Sequence, residues 1–152
     1  MKHSFLLDEN ILYHSIKGVD LYGNLDLSAM ELVVLIARNC HHIRYNSFLL
    51  GRYKAHLAAL RNEPARLLEP AFFERLFFGN SLKAVREDVE PPHLPANAHI
   101  PNEDIDVVRA ALVSHPKFVT NDPALTEAIT GCQHLHLTVL TPQQAMQFAS
   151  QT

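Results

Sequence analysis

Tryptophan is absent from this 152-residue chain, and only two cysteines and five glycines occur. Cys40 and Cys132 give no disulfide framework, so we interpret both as reduced thiols of a cytoplasmic protein. The five glycines do not form the glycine-rich motif of a phosphate-binding loop, which argues against P-loop and dinucleotide-binding folds. No run of 18 or more apolar residues occurs, and the first apolar run meets an acid pair too early for a signal peptide. The sequence therefore predicts no membrane partner.

Positive charge is in short supply overall, with a net charge of -3, but it is unevenly distributed. Residues 36–86 contain nine Lys/Arg and three acids and carry +6, whereas the remainder carries -9. This asymmetry fits either an acidic site beside a basic surface that attracts polyanions, or ordinary solvated helix faces.

Apolar runs alternate with helical patterns along the chain, whose 47% hydrophobic content is typical of a globular protein. We predict a single domain over 1–152, with strands at 3–8, 41–46, 117–120 and 135–140. We predict helices at about 27–39, 47–60, 71–78 and 102–114, and further helices starting at 123 and 142. Such alternation predicts an α/β domain with a mainly parallel central sheet.

Local patterns predict how three of these helices begin and which faces they bury. Ser28 and Glu31 have the spacing of a capping box, and Ser47 is a candidate cap for the next helix. The expected core-facing positions are Met30, Val33, Val34 and Ala37 in the first helix, and Ile105, Val108 and Leu112 in the fourth.

Three acids occupy positions where a parallel sheet gathers functional groups. Asp8 and Asp122 follow predicted strands, and Asp104 lies at the start of a predicted helix. Carboxylates that converge would repel one another unless a hard cation such as Mg²⁺ neutralised them. Asp122 has a second interpretation, because Asp followed by Pro is a common helix start. Thr141-Pro142 repeats that pattern without a charge, so capping alone does not require an acid at 122.

Four segments together resemble the PIN domain family, over nearly the whole chain. They are "FLLDENIL", "HHIRYNSFLLGRYKAHL", "PNEDIDVVRAAL", and "KFVTNDPAL" with the following "LTVLTPQQ". The resemblance implies a three-layer α/β/α sandwich and a ribonuclease that uses Mg²⁺ or Mn²⁺, including toxins of toxin–antitoxin pairs. It implies metal-binding and catalytic roles for Asp8, Asp104 and Asp122. It implies supporting polar roles for Asn10, Thr120 and Asn121, and RNA as a partner, with an antitoxin protein as a further one.

One family acid is missing from this chain. The resemblance places a Glu on the helix after the second strand, but the matching position is Gly51 or Arg52. Glu9 or Glu103 could assist the remaining acids. Arg52 could contact a phosphate or lower metal affinity by repulsion. The alternative is therefore a weakened or inactive PIN-like module that binds nucleic acid or a protein.

Other functions find less support in the residues. A phosphoacceptor receiver domain would need an Asp after the middle strand and a Lys after a late strand, where Asn46 and Thr141 stand. Adjacent Cys-His-His at 40–42 lacks the spaced second pair of a zinc site. No Gly-x-Ser-x-Gly is present for an α/β-hydrolase. The apolar segment 71–78 is expected in the core, with a homodimer or antitoxin surface as the alternative.

Overall fold

The computed structural model describes all residues, 1–152, and contains one five-stranded sheet. Its strands are β1 (Ser4–Leu7), β2 (His42–Tyr45), β3 (Ala84–Arg86), β4 (Lys117–Val119) and β5 (Val139–Leu140). They lie in the order β3-β2-β1-β4-β5, and every neighbouring pair is parallel. The predicted α/β class with a parallel sheet is thus confirmed.

Seven helices flank this sheet as a three-layer α/β/α sandwich. They are α1 (Glu9–Lys17), α2 (Ser28–Arg38), α3 (Ser47–Leu60), α4 (Pro70–Leu76), α5 (Ile105–Ala111), α6 (Pro123–Thr130) and α7 (Pro142–Ala149). A 3₁₀ turn over Asn102–Asp104 leads directly into α5. Because all strands are parallel, their carboxyl ends meet at one edge of the sheet, and the helices there begin close together.

Two elements were absent from the sequence prediction, and one strand is shorter than predicted. Helix α1 begins directly after Asp8, whose Oδ1 accepts the Glu9 N–H at 2.8 Å, at a place where no helix was predicted. Strand β3 has three residues and is defined by its pairing with β2, a tertiary contact without a local signal. Strand β5 covers only two of the six residues predicted at 135–140.

The predicted cap of α2 is wrong, and its buried face is shifted by one residue, although Val33 is buried as predicted. Leu27 is its N-cap and makes no side-chain capping bond, and the Ser28 N–H instead donates to Asp26 Oδ1 at 2.9 Å. The Asp26 carboxylate therefore replaces the expected capping box. The buried apolar positions have the predicted helical spacing but begin one residue earlier: Ala29, Leu32, Val33 and Ile36.

The beginnings of α3 and α7 show where capping can be predicted from sequence. Asn46, and not Ser47, caps α3 through its Oδ1, which accepts the Leu49 N–H at 2.9 Å. Ser47 donates instead to Asp88, 41 residues away, a contact that local patterns do not reveal. Thr141 caps α7 and forms a complete capping box with Gln144. This helix start follows the local Thr-Pro pattern of the sequence.

Helix α5 ends at Ala111, three residues before the predicted end. Ser114 and His115, just beyond it, have positive φ values of 60° and 46°, which a helix cannot contain. Val108 is buried as predicted, whereas Ile105 and Leu112 are only half-buried at the margin of the core.

A hydrophobic core of 31 buried residues joins both helical layers to the sheet. Phe73 and Phe77 of segment 71–78 are completely buried, as predicted for the core, whereas Phe72 of the same segment is 42% exposed. Both cysteines are free thiols. None of the helices has the length and hydropathy needed to cross a bilayer.

Candidate active site

Three acids from three separate segments line one cavity at the carboxyl edge of the sheet. Asp8 follows β1, Asp122 follows the neighbouring β4, and Asp104 lies where the 3₁₀ turn meets α5. The cavity has a volume of about 350 Å³. Its other lining residues are Glu9, Asn10, Tyr13, Arg52, His56 and Glu103. The structure therefore brings together the three acids that the sequence singled out.

Asp8 is the most buried of the three acids, with 7% of its surface exposed. Its Oδ1 accepts the Glu9 N–H, and its Oδ2 accepts the Thr120 hydroxyl at 2.7 Å. Burial nevertheless raises the pKa of this carboxyl above its usual range, with repulsion from Glu9 and Asp122 acting in the same direction. The carboxylate is held in one orientation in a place that disfavours its charge.

Asp104 shows the effect of the neighbouring acids most clearly. Burial, followed by repulsion from Asp8, Asp122 and Glu103, raises the pKa of Asp104 to about 6, against an opposing effect of the Arg52 cation. No backbone or side-chain donor binds its carboxylate. The Arg52 cation therefore offsets the burial and the repulsion at Asp104 only in part.

Asp122 caps a helix, one of the two roles that the sequence left open, and it also lines the cavity. Its Oδ1 caps α6 by accepting the N–H groups of Ala124 (3.0 Å) and Leu125 (3.2 Å). The other oxygen, Oδ2, makes no hydrogen bond and belongs to a residue that lines the cavity. Capping fixes the orientation of the carboxylate, and so one oxygen remains free for a ligand.

Of the three predicted supporting residues, Thr120 connects Asp8 and Asp122, whereas Asn10 and Asn121 contact each other. Thr120 is almost fully buried; its hydroxyl donates to Asp8 and accepts the Asp122 N–H at 3.1 Å. The Asn121 N–H donates to Asn10 Oδ1 at 3.4 Å, and the Asn121 side chain meets His14 Nδ1 at 2.6 Å. Thr120 is thus a direct bridge between β1 and the turn after β4.

Helix α3 contributes the Arg52 cation and the His56 ring to the acidic cavity, where the resemblance implies a carboxylate. Arg52 Nη1 lies 2.7 Å from Glu9 Oε1, and His56 Nε2 lies 2.7 Å from Glu9 Oε2. Arg52 also donates to the Glu103 carbonyl at 3.3 Å and lies over the Phe48 ring. Both oxygens of Glu9 are therefore occupied, which limits its ability to assist the other acids.

Sequence reasoning missed three residues at this site. His56 lies one helical turn after Arg52, so its position follows from that of Arg52 once α3 is known. Tyr13 lines the cavity because α1, which was not predicted, places it there. The buried Tyr53 hydroxyl donates to the Leu7 carbonyl at the end of β1, immediately before Asp8, and no local pattern indicates that contact.

A divalent cation fits this site in the chemistry of its donors but not in their present arrangement. Carboxylate oxygens are the ligands that Mg²⁺ and Mn²⁺ prefer, and Asp8, Asp104 and Asp122 provide them. No group of three or more His, Cys, Asp or Glu side chains is yet close enough together to hold a metal ion.

Comparisons of the chain with models of known protein families and with curated protein sequences find no match. The resemblance to the PIN family therefore rests on the four sequence segments and the placement of their residues.

Proposed function

We propose that this protein is a PIN-type ribonuclease that depends on Mg²⁺ or Mn²⁺. The observation that carries the proposal is the convergence of Asp8, Asp104 and Asp122 in one cavity, where Arg52 offsets their burial and mutual repulsion only in part. Such an arrangement is unfavourable without a cation and becomes favourable with one. The toxin of a toxin–antitoxin pair, acting in a reducing cytoplasm, is the form of this function that we favour.

Each residue of the cavity has a defined part in this proposal. Asp8, Asp104 and Asp122 hold the cation, which supplies charge neutralisation at a phosphodiester and a more acidic water. Thr120 keeps the Asp8 carboxylate oriented through its 2.7 Å hydrogen bond. Arg52 is the one Lys or Arg that lines the cavity, and a substrate phosphate is the anion best able to compete with Glu9 for it.

A second candidate function is favoured by the basic side chains of α3. Arg52 and His56 occupy the side of the cavity where the resemblance implies a fourth carboxylate, and they engage Glu9. The positive charge of Arg52 would weaken metal binding at this site. The protein would then be a PIN-like module that binds RNA or a protein without cutting it. RNA binding that weakens steeply with salt and is not followed by cleavage would favour this candidate.

The proposal is tested by calorimetric titration with Mn²⁺ alongside an RNA cleavage assay. We expect the wild type to bind Mn²⁺ and cleave RNA, and Asp122→Asn to lose both, because Asn keeps a capping oxygen but removes the charge. Asp106→Asn is the matched control, since Asp106 is an exposed acid on α5 that does not line the cavity.

Binding by the wild type without cleavage would select the second candidate function. Equal Mn²⁺ affinities for the wild type and Asp122→Asn would contradict both the metal site and the nuclease.

A further inference from the structure

A second cavity, of about 420 Å³, lies between helices α3 and α4 and shares no lining residue with the acidic cavity. Three cations and one acid are among its lining residues, which are Lys54, Arg61, Glu74, Arg75, Phe78 and Gly79. Arg61 Nη2 lies 3.0 Å from Glu74 Oε1, so this pair is internally balanced. The charges of Lys54 and Arg75 remain, and we call this cavity the basic groove.

The side chains of Lys54 and Arg75 have no partner within the protein. Of the thirteen Lys and Arg, nine make an ion pair, a side-chain hydrogen bond or a cation–π contact. The other four are exposed and make none: Lys2, Arg38, Lys54 and Arg75. Two of these four therefore line one cavity, where both are available to an anion.

Helix α3, which forms one side of the basic groove, contains no Asp or Glu. Arg52 and Lys54 lie on different sides of this helix, because each residue turns an α-helix by about 100°. Between them on the solvent side are three exposed, uncharged residues, Gly51, Ala55 and Ala58. A polyanion can therefore cross α3 from the basic groove to Arg52 at the acidic cavity without meeting a negative charge from the helix.

The charge of the whole chain and the Phe78 ring favour a nucleic acid over an acidic protein segment. Residues 36–86 carry +6 and the remainder -9, so polyanions of either kind are attracted to this side of the molecule. The half-buried Phe78 ring is held against Tyr45 and Tyr53, at centroid distances of 5.4 Å and 5.9 Å. Cations beside a fixed aromatic ring match a nucleotide, which combines a phosphate with an apolar ring face.

We propose that the basic groove is an RNA-anchoring site, separate from the metal site, in which Lys54 and Arg75 contact backbone phosphates. Such contacts position a strand without reading its sequence. The choice of RNA rests on the proposed function, but the site itself does not, since it uses neither a cation nor any residue of the acidic cavity. It adds a second point of attachment, on the far side of α3 from Asp8, Asp104 and Asp122.

The test is binding of a short fluorescent oligouridylate to the full-length protein in EDTA, measured by anisotropy over a series of NaCl concentrations. We expect the double variant Lys54→Gln/Arg75→Gln to bind about fivefold more weakly than the wild type, the effect of losing two exposed ion pairs. The slope of log affinity against log salt should also become shallower by about 1.4, because each phosphate contact on a single strand contributes about 0.7.

Lys2→Gln/Arg38→Gln is the matched control, since it removes the other two unpartnered cations, both exposed and outside the groove. It changes the net charge equally, and we expect it to bind within about twofold of the wild type, because salt screens distant charges.

Three results would overturn the site: no RNA binding by the wild type in EDTA, equal losses in the two double variants, or wild-type affinity in Lys54→Gln/Arg75→Gln. A polyglutamate peptide of equal charge that displaces the RNA as effectively as unlabelled oligouridylate would assign the groove to an acidic protein segment instead. Because both mutated side chains are exposed and unpartnered, thermal unfolding of Lys54→Gln/Arg75→Gln should match that of the wild type.

EDTA removes divalent metal, and neither double variant alters a residue of the acidic cavity. Failure of this test is therefore distinguishable from failure of the nuclease proposal, which is judged by Mn²⁺ binding and cleavage.

Discussion

The amino and carboxyl edges of the same parallel sheet differ in how their polar groups are matched. At the amino edge, the Lys83 ammonium donates to the carbonyl oxygens of Ile36 (3.1 Å) and His41 (3.1 Å) and also to that of Asn39. His41 in turn accepts the His3 N–H at 2.9 Å and contacts the Gln151 carbonyl at 2.7 Å. Donors and acceptors there largely satisfy one another.

At the carboxyl edge, carboxylates gather with too little positive charge between them. Asp104 has a pKa of about 6, and that of Asp8 is raised as well. A protein evolves such a local conflict mainly where function requires it, because each unrelieved repulsion lowers stability. We infer from this difference that the amino edge mainly stabilises the fold, whereas the carboxyl edge serves the cation site that we propose.

The largest effect is expected from Lys83→Met, which would break the amino edge. Methionine keeps an apolar stem of similar length but leaves three backbone carbonyls without their charged donor. We expect the free energy of unfolding to fall by about 2–3 kcal/mol, measured by urea denaturation. Lys54→Met is the control, because Lys54 is exposed and makes no such bonds. A loss that is equal in both variants would contradict the structural role of the amino edge.

Arg52→Glu tests the carboxyl edge, because it exchanges a cation for a carboxylate in the acidic cavity. We expect Mn²⁺ affinity to rise about tenfold, because one repulsive charge is replaced by one attractive charge near the site. Arg52→Gln, which only removes the cation, should give a smaller rise. Calorimetry measures both affinities, and a lower Mn²⁺ affinity in Arg52→Glu would show that Arg52 helps to build the site.

The smallest effect is expected at His42, whose buried ring nitrogens are the exception to the hydrogen bonding of polar groups at the amino edge. Neither ring nitrogen has a hydrogen-bond partner, and burial, followed by repulsion from Arg44 and Lys2, lowers the pKa of His42 to about 4. Between pH 6.5 and 4 the unfolded chain therefore binds more protons than the folded one, and stability falls as pH falls through this window.

His42→Leu should lose less stability than the wild type when the pH is lowered from 7 to 4, as measured by thermal unfolding. The exposed His134 provides the control variant His134→Leu, for which we expect no such difference. An unchanged pH profile in His42→Leu would mean that this ring is not held neutral in the folded protein.

Much of the fold could be predicted because its signals are local. The strand before Asp8, the helix after Pro123 and the Thr141 cap each depend on neighbouring residues, and the structure contains all three. Strand β3 and the Ser47–Asp88 bond depend on segments about 40 residues apart, and a sequence pattern does not reveal such contacts. Helix α1 was missed because Asp8-Glu9-Asn10 also suits a turn.

The site was predictable in its acids but not in their surroundings. Alternating strands and helices imply that residues after β1 and β4 meet at one edge, which placed Asp8 and Asp122 together. The pairing of Arg52 and His56 with Glu9, and the Tyr53 bond to Leu7, require the packing of α3 against α1 and the sheet. Those contacts determine the charge balance of the cavity. Because they are tertiary contacts, the spacing of residues in the sequence does not reveal them.

The central claim is that the carboxyl edge sacrifices stability to hold a cation, and Asp104→Asn tests it most directly. A raised folded-state pKa means that the folded protein binds more protons than the unfolded chain between about pH 4 and 6, so Asp104 lowers stability as pH rises through this window and above it. Removing the charge should therefore stabilise the protein at pH 7.5 and make no difference below pH 4.

Thermal unfolding of the wild type and Asp104→Asn at pH 7.5, each with and without Mn²⁺, is the measurement. Without metal we predict that the variant melts higher by no more than about 3 °C, since water screens part of the repulsion. Mn²⁺ should raise the melting temperature of the wild type by several degrees and leave that of the variant unchanged. A variant that melts lower than the wild type, with neither protein responding to Mn²⁺, would contradict the account.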